Sequence, residues 1–160
     1  VILANIPVQF RFLAKEGLFK IPLLGDHLRR AGHIPVPRGN PRAAVKTMTE
    51  AGRMVRERGV SLLIFPEGGR SNGELQDFKE GAAFIAIKAG VPVVPVALSG
   101  TSGALPRGSL LVRPARVTMR IGELVETSKL TIHDRARLTE ELHHIVAELL
   151  AEKDTRVPSA

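Results

Sequence analysis

The 160-residue sequence contains no cysteine, which excludes disulfides, thiolate metal sites and cysteine nucleophiles. Tryptophan and tyrosine are also missing, and six phenylalanines are the only large aromatics. Stacking platforms for single-stranded nucleic acid are therefore scarce. No basic residue falls in a finger, helix-turn-helix or RNA-recognition pattern, so no nucleic-acid partner is expected. No apolar run approaches the roughly 18–20 residues of a membrane-spanning helix. The chain opens on Val1 rather than Met, which reads as a piece of a longer or processed chain.

What is present suits one folded domain. Apolar residues make up 44% and charged residues 24% of the chain. A domain this long typically buries about 68–70% of its unfolded surface. The excess charge of +7 is concentrated. Residues 29–58 carry eight basic side chains (Arg29, Arg30, Arg38, Arg42, Lys46, Arg53, Arg56, Arg58) and only Glu50 and Glu57 as acids. Such a patch suits an anionic membrane surface or a phosphorylated substrate, or is simply a solvated helix face.

Hydrophobic patterning predicts an α/β domain, a mixed and mostly parallel sheet flanked by helices. Residues 8–14 read as a strand ending at Lys15, and 18–31 as a short helix, a break at Pro22, and a second turn. A short strand follows over 33–36. Asn40-Pro41 is a helix start, with apolar Ala44, Val45, Met48, Ala51 and Val55 on one stripe and Gly59 as its stop. Val60–Phe65 is an almost continuous apolar run, broken only by Ser61, as in a central parallel strand. A helix over 78–89 should turn Phe84, Ile85 and Ile87 inward. Residues 91–98 read as another strand, with Pro92 and Pro95 forcing a bulge or an edge. Residues 110–113 and 115–121 are expected to pair as a closing hairpin. Thr131 or Asp134 should cap a last helix through Leu138, Leu142, Ile145, Leu149 and Leu150. The domain is read as 1–153, with 154–160 a frayed tail.

The chemistry is expected in Phe65-Pro66-Glu67-Gly68-Gly69-Arg70-Ser71, which follows a buried strand. Open α/β sheets bind ligands at the carboxyl ends of their strands. Gly68 and Gly69 allow close backbone approach, and Arg70 can fork onto two phosphate oxygens. No Gly-Lys-Ser/Thr follows, so this is not a Walker loop. The alternative is an ordinary glycine-rich turn with a Glu67–Arg70 surface pair. Lys15 and Arg38 also follow strands, so three cations from three strand ends could converge on one anion.

Residues 10–38 (FRFLAKEGLFKIPLLGDHLRRAGHIPVPR), 62–86 (LLIFPEGGRSNGELQDFKEGAAFIA) and 89–101 (AGVPVVPVALSGT) together resemble the lysophosphatidic acid acyltransferases of the glycerolipid acyltransferase superfamily. The resemblance implies fatty acyl transfer from coenzyme A or acyl carrier protein to 1-acyl-sn-glycerol-3-phosphate, giving phosphatidate. The thioester is a substrate, and no cofactor or metal is implied. The substrate phosphate site would comprise Lys15, Arg38, Glu67, Gly68, Arg70 and Ser71. It also implies partners in lysophosphatidate, the acyl thioester and an anionic membrane surface. The place of work would be the cytoplasmic face of the cell membrane, held peripherally or by an N-terminal anchor.

Two departures from the family pattern stand out. Gly69 replaces a usual threonine. The family's His-x4-Asp pair, its general base and orienting acid, is expected upstream of Val8, because residues 1–7 (VILANIP) contain neither residue. None of the five histidines has Asp or Glu five residues on except His143, with Glu148. Five helical steps turn those side chains about 140° apart. All five are read as structural or surface groups. The alternative function is an inactive phospholipid- or glycerophosphate-binding relative.

Overall fold

The computed structural model describes residues 2–37, 39–69, 73–104 and 111–152. In chain order they form helix α1 (Ile2–Asn5), strand β1 (Phe10–Lys15), a 3-10 turn (Glu16–Lys20), α2 (Leu24–Arg30), β2 (Ile34–Val36), α3 (Pro41–Arg58) and β3 (Ser61–Leu63). Then follow α4 (Gly81–Ala89), β4 (Val96–Ser99), α5 (Thr101–Ala104), β5 (Thr118–Ile121), a 3-10 turn (Ile132–Asp134) and α6 (Arg135–Ala151). The expected tail lies outside the described residues.

The α/β class is as the pattern predicts, but the sheet is in two parts. β2, β1 and β3 form a parallel sheet in that order, and β4 pairs antiparallel with β5. β3 is thus an edge rather than a central strand. Pro92 and Pro95 have no N–H to donate, so residues 91–95 form no continuous ladder. They contribute an isolated bridge, Val93 to Val125, before β4 begins.

β5 pairs with β4 rather than with Leu111–Arg113, and Leu110 of the expected strand lies outside the described residues. Leu111–Val117 form no strand, and Arg113 donates its N–H to Ala104 O at 2.8 Å. Pro114 interrupts the expected hairpin by removing a donor.

Capping chemistry sets the long helices. The Asn40 side chain accepts from the Ala43 N–H at 3.1 Å, and Gly59 closes α3 with φ +61°. On α3 the covered stripe includes Met48, Ala51, Gly52 and Val55, whereas Val45 is exposed and leaves the predicted stripe. Gly52 lets α3 approach α4, since a Cβ there would lie 3.4 Å from Ile85 O. Arg56 donates to Lys88 O at 2.8 Å, satisfying a carbonyl at the end of α4.

Helix α4 starts at Gly81, later than expected, and the Lys79 N–H ahead of it bonds back to Pro66 O. Its Ile85 is buried, while Phe84 and Ile87 are half-buried. Thr131 and Asp134 form a reciprocal capping box before α6. The Thr131 N–H and hydroxyl, with Arg137 behind them, hold the Asp134 carboxyl below its ordinary pKa. The core lies between α4 and α6. Ala83, Leu138 and Leu142 are buried there against Phe78, Ile87, Val93, Val125 and Leu130. The parallel sheet is less covered: no residue of β1, β2 or β3 is fully buried.

Candidate functional site

Parallel pairing brings three carboxyl ends to one edge of the sheet. Lys15, last in β1, stands in register with Val36, last in β2. Leu63 ends β3 opposite Phe12. Three residues on, the two chains reach Pro66 and Lys15. This is the edge at which open α/β sheets place ligands. Arg38, Arg70 and Ser71 lie outside the described residues, so the structure places Lys15, Glu67 and Gly68 of the expected set.

Lys15 is exposed at the start of the first 3-10 turn, and its Cε would lie 3.6 Å from a Cβ at Gly17. Among the described residues no carboxylate pairs with it; the adjacent Glu16 reaches Lys20 at 3.8 Å. A neighbouring groove of about 390 Å³ is lined by Glu16, Phe19, Lys20, Arg29, His33 and Pro35. Its cations are already matched, Lys20 by Glu16 and Arg29 by Asp26 at 2.9 Å. Lys15 is therefore the more available cation.

The glycine loop begins as a β-turn. The Gly68 N–H donates to Phe65 O at 3.0 Å, with Pro66 in the second position that its fixed φ suits. Gly68 has φ +70°, and a Cβ there would meet Lys79 Nζ at 2.9 Å. The positive φ favours glycine, whereas the flexible end of Lys79 could swing aside from a side chain there. The loop's return is tied to its start: the Gln76 N–H donates to Glu67 Oε2 at 3.0 Å, and the Lys79 N–H to Pro66 O at 3.0 Å. Glu67 therefore braces the loop with at least one carboxylate oxygen.

Lys79 was not foreseen from the sequence. Its only signal there is a cation in the first turn of the helix expected over 78–89, where helix-dipole electrostatics disfavour it.

The histidines sit elsewhere. His33 Nδ1 accepts from the Phe12 N–H within the sheet at 3.0 Å, and His143 packs edge-on against Phe78. His144 Nε2 pairs with Glu148 Oε1 at 3.3 Å on the exposed face of α6, at a four-residue spacing. Among the described residues, none is paired with an aspartate. Nor do they contain a cluster of three or more His, Asp or Glu able to hold a metal.

The Acyltransferase family model matches residues 1–99, a span that contains every expected site residue and Lys79. The chain belongs to the acyltransferase family. It is similar to a 1-acyl-sn-glycerol-3-phosphate acyltransferase of Limnanthes alba, 38% identical over 127 residues, covering 79% of this chain and 45% of that protein. An acyltransferase of the same name from Haemophilus influenzae is 31% identical over 146 residues, covering 91% and 60%. Among solved structures, the 1-acyl-sn-glycerophosphate acyltransferase PlsC from Thermotoga maritima superposes with a TM-score of 0.72 at 29% identity. That match covers 97% of this chain and 62% of PlsC. The chain thus spans about half the length of these acyltransferases.

Proposed function

We propose that this acyltransferase moves a fatty acyl group from an acyl thioester to the free hydroxyl of 1-acyl-sn-glycerol-3-phosphate, producing phosphatidate. One observation supports the reading: Lys15 ends β1 at the sheet edge from which Phe65–Gly69 leave β3, three residues past the Phe12–Leu63 pair. An ammonium with no carboxylate partner among the described residues, beside a backbone shaped for close approach, suits a phosphomonoester. Arg38, Arg70 and Ser71 complete the acceptor site in this reading, with Glu67 and Gly68 shaping it.

In the reaction, the acceptor hydroxyl oxygen attacks the thioester carbonyl. The C–O bond forms, the C–S bond breaks, and the hydroxyl proton passes through a base to the departing thiol. The base is assigned to a His-x4-Asp pair preceding Val8. The donor is acyl-coenzyme A or acyl carrier protein, bound as a substrate, and no resident cofactor is invoked.

The lipid acceptor also implies a membrane surface, reached peripherally at the cytoplasmic face. Leu18, Ile21, Leu23 and Leu24 are all exposed immediately after Lys15. Leu23 is held out by a γ-turn of the rare positive-φ form, φ +65° and ψ −52°, with the Leu24 N–H bonded to Pro22 O at 2.7 Å. Strained residues of this kind collect at functional sites. Among the described residues no helix is long and apolar enough to cross a membrane. Shallow insertion of these side chains, with the basic 29–58 stretch on anionic headgroups, is the proposed mode of contact.

The test is acyl transfer to lysophosphatidate by the reading frame that includes the upstream segment, with Arg70→Ala beside it. Transfer that Arg70→Ala sharply weakens without loss of fold supports the proposal. Lysophosphatidate binding without transfer, in a frame lacking His-x4-Asp, would identify a non-catalytic lipid binder instead.

A further inference from the structure

Four observations converge on Lys79. Its ammonium lies over the glycine loop, 2.9 Å from where a Cβ at Gly68 would stand. Its backbone is locked to the same loop through Pro66 O. Its neighbour Glu80, the nearest acid in sequence, is taken by Arg135 at 2.6 Å. Among the described residues Lys79 itself has no ion-pair partner. The cation also sits just ahead of α4, whose amino end carries partial positive charge. Two like charges held together at a ligand-binding edge call for an anion between them.

We propose that Lys79 is a phosphomonoester-binding residue, the ammonium that lies over the glycine loop at Gly68. This rests on the acceptor-site reading above and adds a residue to it. Two sources could supply the group: the phosphate of a glycerophosphate acceptor, or the 3′-phosphate of a coenzyme A donor. Positive φ at Gly68 and the absence of its side chain leave the space through which Lys79 reaches the loop's backbone side.

The experiment is calorimetric titration of the 160-residue chain with sn-glycerol 3-phosphate and, separately, with coenzyme A; glycerol is the uncharged control. Lys79→Gln is expected to weaken one of the two phosphate ligands by about tenfold, the size of one lost charge-assisted bond. Lys79→Arg should recover most of that loss, and thermal melts should match the unsubstituted chain. Loss confined to sn-glycerol 3-phosphate assigns the residue to the acceptor, and loss confined to coenzyme A to the donor; either supports the proposal. Unchanged binding of both ligands by Lys79→Gln, while Lys15→Gln weakens glycerol 3-phosphate, overturns the Lys79 role alone. Failure of the unsubstituted chain to bind either ligand overturns this role together with the acceptor-site reading.

Discussion

Phe12 donates its backbone N–H to Nδ1 of His33 at 3.0 Å, adding a side-chain rung to the β1–β2 ladder just before its first backbone pair. The accepting nitrogen must be unprotonated. Partial burial, chiefly, and then the charges of Arg11 and His27 push the imidazole pKa below its ordinary value. The folded pKa therefore lies under the unfolded one, near 6.5. Stability from this group is complete above pH 6.5 and declines as pH falls through 6.5 toward the folded pKa. Urea midpoints should drop between pH 7.5 and 5.5, and His33→Gln should reduce that drop. An identical pH slope in the variant would remove His33 from the account.

Asn40 caps α3 through its side chain, and the first-turn donors have few other partners. Asn40→Ala should lower unfolding free energy by about 1 kcal/mol, whereas Asn40→Asp should keep most of it. Chemical denaturation at pH 7 distinguishes these. Equal losses in both variants would mean that the bond to the Ala43 N–H contributes nothing.

Gly25, in the first turn of α2, is buried against the preceding 3-10 turn. A Cβ there would run into the Phe19 carbonyl oxygen, which is backbone and cannot swing aside. Gly25→Ala should therefore destabilise by roughly 1–3 kcal/mol, as overpacking does. Gly69→Ala meets nothing within 4 Å and is its matched control. Comparable melting temperatures for the two variants would contradict the close packing of α2 on this turn.

Local signals carried much of this fold. Asn40-Pro41, Gly59 and Gly90 marked helix ends because their chemistry acts within a few residues. What failed required distant partners. Val60–Phe65 looked central by hydrophobicity, but an edge is decided by which strands come to lie beside it, and only β1 pairs with β3 among the described residues. At the functional edge, Lys15 and the glycine loop were legible because strand ends can be read from local pattern. Lys79 was not, since its reach over Gly68 follows from the loop closing on Pro66 O thirteen residues earlier. His144–Glu148 escaped because only a five-residue spacing was sought.

Leu23 gives the membrane proposal its sharpest prediction, because strain and exposure act on the same residue. It is 86% exposed at positive φ, a conformation costing about 1–3 kcal/mol for a residue with a side chain. Leu23→Gly relieves that strain, outweighing the roughly 0.5–1 kcal/mol of extra unfolded-chain entropy that glycine brings. The variant should therefore be at least as stable as the parent. It should also bind anionic vesicles about tenfold or more weakly, since a buried leucine contributes roughly 1.5–3 kcal/mol. Vesicle sedimentation at low and high salt separates the two contributions. Salt should weaken parent and variant by the same factor, the basic stretch being intact in both. A more stable variant with undiminished vesicle binding would refute insertion at Leu23, and equal parent binding to neutral and anionic vesicles would refute the role of the basic stretch.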